Sequence, residues 1–283
     1  MKDSLIIDGH SHSYNDDIAS KIIKSFTDLH KMHPTSSVGK GTIGDIQNNM
    51  KNSHIDYTVI ANFAPAKSIH RSNEWTLAVG MQYDNIIPLI SVHPDMPLEN
   101  VKEYFANGAK GIKIHNGIQE FAPTDRGLFE IYEYCEEYSI PITLHCGETS
   151  RVHLNEYTDA NNILPVVKMF PGIRFVLTHL VAGVHEEVLK IADLYPNVIF
   201  DTSIAFTGEH CIHRIHDNYW ENDENAAEAF RQIGFDRVAF GSDYPFGNPA
   251  SDINRIKKLP INENEKKLIL GVNTARLYFI NEK

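Results

Sequence analysis

Eight short apolar or β-branched runs recur along this chain, and each is followed by a stretch with apolar residues at three- and four-residue spacing. The runs are Leu5–Gly9, Tyr57–Asn62, Ile86–Val92, Gly111–His115, Ile140–His145, Arg174–His179, Val198–Ser203 and Arg237–Asp243. Between them stand amphipathic segments such as LENVKEYFANG, RGLFEIYEYCEEY, HEEVLKIADLY and ENAAEAFRQIG. Turn signals at Asn107-Gly108, Pro171-Gly172 and Gly234 separate the units. A strand that passes through a helix before the next strand returns parallel to itself. Eight such units predict an α/β fold, a (β/α)8 barrel. An open doubly wound sheet is the alternative, but no glycine-rich phosphate loop follows the first run. No break in composition, internal repeat or low-complexity tract divides the 283 residues, so residues 1–283 read as a single domain. The longest irregular connection is predicted from Ser13 to about Gly44, a length that reads as a lid or binding loop.

The net charge of −11, with no basic run longer than two residues, argues against nucleic acid or an anionic membrane as partner. A small molecule is the expected partner, and a homodimer stays open. No apolar run reaches the roughly 18 residues that span a bilayer. The first run starts too close to Met1 to leave room for a signal peptide. Cys135, Cys146 and Cys211 are widely spaced, odd in number and without a CxxC pair, which fits reduced thiols and a cytoplasmic location.

The chemistry stands at the carboxyl ends of the runs, where barrel enzymes build their sites. In LIIDGHSHSY the strand period places Asp8, His10 and His12 on one face and Ile7, Gly9 and Ser11 on the other. GIKIH ends with Lys113 and His115 on one face and Ile112 and Ile114 on the other. PITLHCG ends in His145, RFVLTHL in His179 and RVAFGSDYP in Asp243. Neutral imidazoles with a carboxylate suit a divalent ion such as zinc, and also iron, manganese or cobalt. A further histidine beside such an ion moves protons near neutral pH.

Each residue also has an ordinary reading. His145 alone reads as a satisfied core histidine, His179 as a helix-entry residue, and Asp243 as an N-cap or turn former before Tyr244-Pro245. Asp201, in VIFDTS, orients a histidine or ties down the barrel floor. Lys113 reads first as one half of a structural ion pair, then as a substrate contact, then as a carbamylated bridging ligand. His93 reads as structural, and His210, His213 and His216 as a lid or a solvated helix face. Taken together, the ordinary readings require coincidence at five strand ends.

The set DGHSH, LISVHP, KGIKIH, PITLHCG, PGIRFVLTHL, NVIFDTS, DRVAFGSDYP and GVNTARLYF resembles the amidohydrolase superfamily. More narrowly it is similar to the amidohydrolase-related branch that contains aminocarboxymuconate-semialdehyde decarboxylase and pyrone-dicarboxylate lactonase. The resemblance runs in order from residue 8 to about residue 279. It implies that His10, His12, His145 and Asp243 hold one divalent ion, Zn2+ first and Mn2+, Fe2+ or Co2+ next. It also implies that His179 is the acid/base, or a ligand in two-metal relatives. Three departures lean towards hydrolysis. Val181-Ala182-Gly183 replaces the usual glycine pair, Asp8-Gly9 stands where decarboxylases often carry glutamate, and the chain is shorter than most of those decarboxylases.

The expected activity is therefore metal-dependent hydrolysis of an amide, lactone or other carboxylic ester in a small carboxylated molecule. The ion activates water and binds the scissile carbonyl oxygen, and His179 or Asp243 takes the proton. Lys113, His115 and Arg151 are the candidate substrate contacts. Arg151, just past His145, offers a bidentate clamp for a carboxylate, with a solvated loop arginine as its plain alternative. The rival activity is non-oxidative decarboxylation at the same ion. A catalytically silent metal-binding barrel is the second rival.

Overall fold

The computed structural model describes residues 5–30, 39–147, 155–206 and 218–279. Eight strands run in chain order around one sheet: β1 Ile7–Ser11, β2 Tyr57–Ile60, β3 Ile86–Ser91, β4 Gly111–Ile114, β5 Ile142–Leu144, β6 Phe175–Leu177, β7 Val198–Asp201 and β8 Val238–Ala239. Every neighbouring pair from β1 to β8 is parallel. The ring closes where the Gly9 N–H donates to Phe240 O at 2.9 Å, Asp243 N–H to His10 O at 2.8 Å and His12 N–H to Tyr244 O at 2.6 Å. The fold is the expected (β/α)8 barrel.

A helix follows each strand, and local chemistry sets its ends. The helix Asp223–Ile233 starts where the Asn222 side chain accepts from two backbone N–H groups, and it stops at Gly234, whose φ of 93° suits glycine. It buries Ala226, Ala227, Phe230 and Ile233, one face at helical spacing. The helix Pro249–Lys258 has Asn248 as its cap and proline in its first turn. These inward faces pack against outward strand residues such as Ile90, Ile112, Leu144, Leu177 and Phe200. A second, smaller cluster fills the barrel itself: Ile7, Val59, Ile87, Leu89, Val176, Ile199 and Ala239, with Ala275, Leu277 and Tyr278 against them.

Three expectations need correction. The segment after β1 is not irregular throughout: it carries the helix Asp16–His30, and a second helix begins at Ile43. Its charged and apolar residues alternate at helical period, which the loop reading overlooked. The first strand continues to Ser11, so His10 lies within it. The two-face reading of that strand also fails. The register with β2 advances from Asp8 to Ser11 while β2 advances only from Thr58 to Ile60, a β-bulge. The extra residue resets the alternation. Ile7 packs into the barrel interior, and His10, three residues on, reaches Asp201 of β7. Asp8 instead turns away from the histidine rings and accepts from Ser242 N at 2.9 Å, Ser242 Oγ at 2.5 Å and the backbone N–H of His10 at 3.2 Å. No helix among the described residues is long and apolar enough to cross a membrane.

Candidate metal centre

The β1–β8 seam brings the first ligand candidates together. His10 Nε2 lies 3.5 Å from Asp243 Oδ1, and His12 Nε2 lies 3.0 Å from the same oxygen. One ligand atom from each of these three buried residues falls within 4.8 Å of the others. Asp243 reaches this place with φ of 57°, a left-handed conformation that aspartate tolerates better than most residues. Burial alone would raise its carboxyl, but the hydrogen bond from His12 and the nearness of His10 hold it well below the usual carboxylate range.

Two nitrogens per imidazole allow a test of fit. His10 Nδ1 faces Asp201 Oδ2 at 2.6 Å, which commits its proton to that carboxylate and leaves the Nε2 lone pair towards His12 and Asp243. Metal-ligating histidines are oriented in this way by a carboxylate behind them. Burial and the Lys113 charge pull the His10 imidazole down to about 4, so it is neutral near pH 7, as a ligand must be. His12 lacks such support: among the described residues its buried Nδ1 has no hydrogen-bond partner. The donor set of imidazoles and carboxylate fits a borderline divalent cation.

His145 joins the crater by a different route. Its ring lies flat on His115 with centroids 3.8 Å apart and meets the His179 ring edge-on at 5.0 Å. The His179 ring in turn stacks on His10 at 5.3 Å. All five expected side chains therefore meet at one end of the barrel, but His145 belongs to neither of the two three-residue sets that share ligand distance among the described residues, His10 with His12 and Asp243, and His10 with His179 and Asp201. Burial, then the neighbouring His115, lowers the His145 imidazole well below its ordinary value.

His179 opens a left-handed turn. His179, Leu180, Val181 and Ala182 have φ of 61°, 45°, 51° and 61°, and Gly183 follows at 76°. Val181 is β-branched, for which this conformation is strained. Leu180 and Val181 are buried, and Gly183 O accepts from the Trp220 indole at 2.8 Å, which holds the turn in place. The loss of the usual glycine pair is thus absorbed as strain at the turn that aims His179, and the helix-entry reading does not hold.

Lys113 is fully buried and sits 3.4 Å from His10 Nε2. Burial lowers its ammonium to about 8, against the raising effect of Asp201 and Asp243. The expected ion pair is absent among the described residues, because Asp201 and Asp243 direct their oxygens at histidines. His115 is buried. Its Nδ1 accepts from Ile118 N at 3.3 Å as the cap of a short helix, so its Nε2 carries the proton. Arg151, Cys211, His210, His213 and His216 lie outside the described residues. Cys135 and Cys146 are free and buried.

Sequence reasoning passed over Ser203, Ser242 and Phe63. Ser203 contacts His10, His179 and Asp201; Ser242 binds Asp8; Phe63 packs on His115 at 4.4 Å and edge-on to His12 at 5.5 Å. The serines carried a signal. Each lies within two residues of an acidic residue at the end of a strand run, inside DTS and GSD. Phe63 carried none, since its contacts depend on how two strand ends meet.

The sequence matches the family model described as amidohydrolase over residues 7–280. No curated protein matches it. Solved structures share the fold at low identity. An uncharacterised TIM-barrel protein from Bordetella bronchiseptica is 18% identical, with a TM-score of 0.76 over 96% of this chain and 97% of that one. A putative 2-pyrone-4,6-dicarboxylic acid hydrolase from Pseudomonas putida is 14% identical, with a TM-score of 0.71 over 99% of each chain. A dihydroxybenzoic acid decarboxylase from Polaromonas sp. JS666, solved with manganese and 2-nitroresorcinol, is 13% identical, with a TM-score of 0.71 over 99% of this chain and 98% of that one.

Proposed function

The chain belongs to the amidohydrolase family, and on that premise we propose that it is a metal-dependent hydrolase of an amide, lactone or other carboxylic ester bond in a small carboxylated molecule. His10, His12 and Asp243, with His145 as fourth ligand, would hold one divalent ion, Zn2+ first and Mn2+ as its main competitor. When bound, such an ion supplies Lewis acidity and a water of lowered pKa.

The observation that carries hydrolysis over its rival is the state of His179. Its Nδ1 lies 3.3 Å from the Ser203 carbonyl oxygen, which can only accept, so Nδ1 holds the proton and Nε2 holds the lone pair. Burial lowers the imidazole below its ordinary value despite the charges of Asp243 and Asp201, so the ring is uncharged near pH 7. A neutral histidine with Nε2 unprotonated takes a proton from water. Delivering a proton to carbon after loss of carbon dioxide requires the charged ring instead. Asp243 would share the proton-handling role through its carboxylate. Lys113 and the His115 Nε2–H would meet polar oxygens of the substrate, and Arg151 would clamp its carboxylate.

The test is a panel of lactones, N-acyl amino acids and carboxylated aromatics offered to metal-loaded protein, with products read by mass spectrometry in ¹⁸O-water. Hydrolysis places one heavy oxygen in the acid product. Release of carbon dioxide without that label overturns the reading. Elemental analysis should find about one ion per chain. His179→Asn should keep the ion while the rate falls on the order of 100- to 10,000-fold, the usual worth of positioned proton transfer.

A further inference from the structure

We propose that Ser203 is a positioning residue that fixes His179 in the Nδ1–H tautomer, so that Nε2 faces the crater as a proton acceptor. The inference rests on the base role given to His179 above and assigns the device that maintains it. It follows from counting protons among four buried groups. Asp201 is the acceptor at the centre: its Oδ1 takes the backbone N–H of Ser203 at 2.8 Å and the backbone N–H of His179 at 3.4 Å, and its Oδ2 faces His10 Nδ1 at 2.6 Å. The Ser203 hydroxyl also lies against Asp201 Oδ1. A carboxylate oxygen cannot donate, so the single hydroxyl proton points there.

With that proton committed, Ser203 Oγ has only lone pairs left. The nearest nitrogen to them is His179 Nδ1, at 2.8 Å. His10 Nδ1 stands farther, at 3.2 Å, and its proton already goes to Asp201. The same His179 nitrogen meets the Ser203 carbonyl oxygen at 3.3 Å. Both oxygens of one residue therefore require a proton on Nδ1. The opposite tautomer would set a lone pair against two lone-pair-bearing oxygens in a site with Ser203 fully buried and Asp201 only 1% exposed, where water cannot compensate. Among the described residues no hydrogen bond engages His179 Nε2. Asp201 thus orients two histidines at once, His10 directly and His179 through the Ser203 hydroxyl.

The tautomer is read without any substrate. Zinc-loaded protein carrying ¹⁵N-histidine gives a two-bond ¹⁵N–¹H correlation pattern that separates protonated from unprotonated ring nitrogens. The His179 signals are identified by their loss in His179→Gln. The expected wild-type pattern has Nδ1 protonated and Nε2 unprotonated, in at least about nine-tenths of the molecules, the population that a single retained buried hydrogen bond sustains. Ser203→Ala, which removes the hydroxyl acceptor at 2.8 Å but keeps the carbonyl oxygen at 3.3 Å, should lower the Nδ1–H share without abolishing it, and Ser203→Thr, which keeps the hydroxyl, should restore it, with zinc content unchanged in both. A wild-type pattern with Nε2 protonated overturns the proposal, even if neither variant folds. An Ala variant indistinguishable from wild type overturns it equally. Carbon dioxide as the product would remove hydrolysis while leaving the tautomer result standing, so the two readings fail separately.

Discussion

The two ends of the barrel interior are built from the same strands and differ in almost every chemical respect. At the amino end, Ile7, Val59, Ile87, Leu89, Val176, Ile199 and Ala239 make an aliphatic plug closed by Tyr278. At the carboxyl end, His10, Lys113 and Asp201 occupy positions equally withdrawn from water. On β7 the change from Ile199 to Asp201 takes two residues, and on β4 the change from Gly111 to Lys113 takes two as well. Gly111 itself is there for space: an added Cβ would stand 3.1 Å from both Leu89 and Tyr278 side chains. The floor gains stability from apolar burial. The top spends it, because each buried charge or imidazole costs free energy unless a partner or an ion compensates. The comparison teaches that stability and chemistry are divided along the strand, not between strands.

The largest effect that sharpens this contrast is acid sensitivity of the metal-free protein. Burial lowers the imidazoles of His10, His115 and His179 below their ordinary value of 6.5. Below pH 6.5 the unfolded chain therefore binds protons that the folded chain refuses. The histidine contribution is complete above 6.5 and falls as pH falls, by up to about 1.4 kcal/mol per histidine for each pH unit, opposed in part by Asp8, whose carboxyl burial raises to about 7 and which takes up a proton in the fold over the same range. Urea unfolding at pH 7.5 and pH 5.5 measures it, and equal midpoints would break the claim that these imidazoles are held neutral. Next comes the floor. Ile199→Ala should cost about 2–5 kcal/mol by opening a cavity while metal content stays at the wild-type level; loss of metal would show that the two ends are not separable. The third effect belongs to the top alone. Asp201→Asn should weaken metal binding roughly 10- to 100-fold in chelator competition, because it frees the His10 ring behind the ligand atom. An unchanged affinity would remove Asp201 from the site. The smallest is strain relief. Ala182→Gly, at a φ of 61°, should raise the urea midpoint by up to about 1 kcal/mol in stability at unchanged slope. A lower midpoint would mean that the Ala182 methyl, which lies where a Cβ on Gly147 would fall, contributes more than its backbone costs.

Much of this was legible before any coordinates. The alternation of apolar runs and helical patterns determined the barrel, because burial pattern and period are local properties of the chain. The crater residues His10, His12, His145, His179 and Asp243 could be named for the same reason: parallel strands of one barrel all end on one rim, so a polar residue closing each run must share it. Period also put Lys113 inward and Ile112 and Ile114 outward.

What the sequence could not decide were relations between strands. One extra residue in β1 reversed the expected side of Ile7 and Asp8, since a bulge is defined only against the partner strand it mismatches. The ion pair expected at Lys113 gave way because its two carboxylates face histidines carried by other elements. The place of His145, stacked flat on His115 and outside both ligand-distance sets, depends on how the ends of β4 and β5 meet. The proton count around Ser203 needs β1, β6 and β7 in place together. Which residues carry the chemistry is written in strand period and composition; which nitrogen holds a proton and which oxygen receives it is set by distances of about 3 Å across the barrel, and those exist only once the ring is closed.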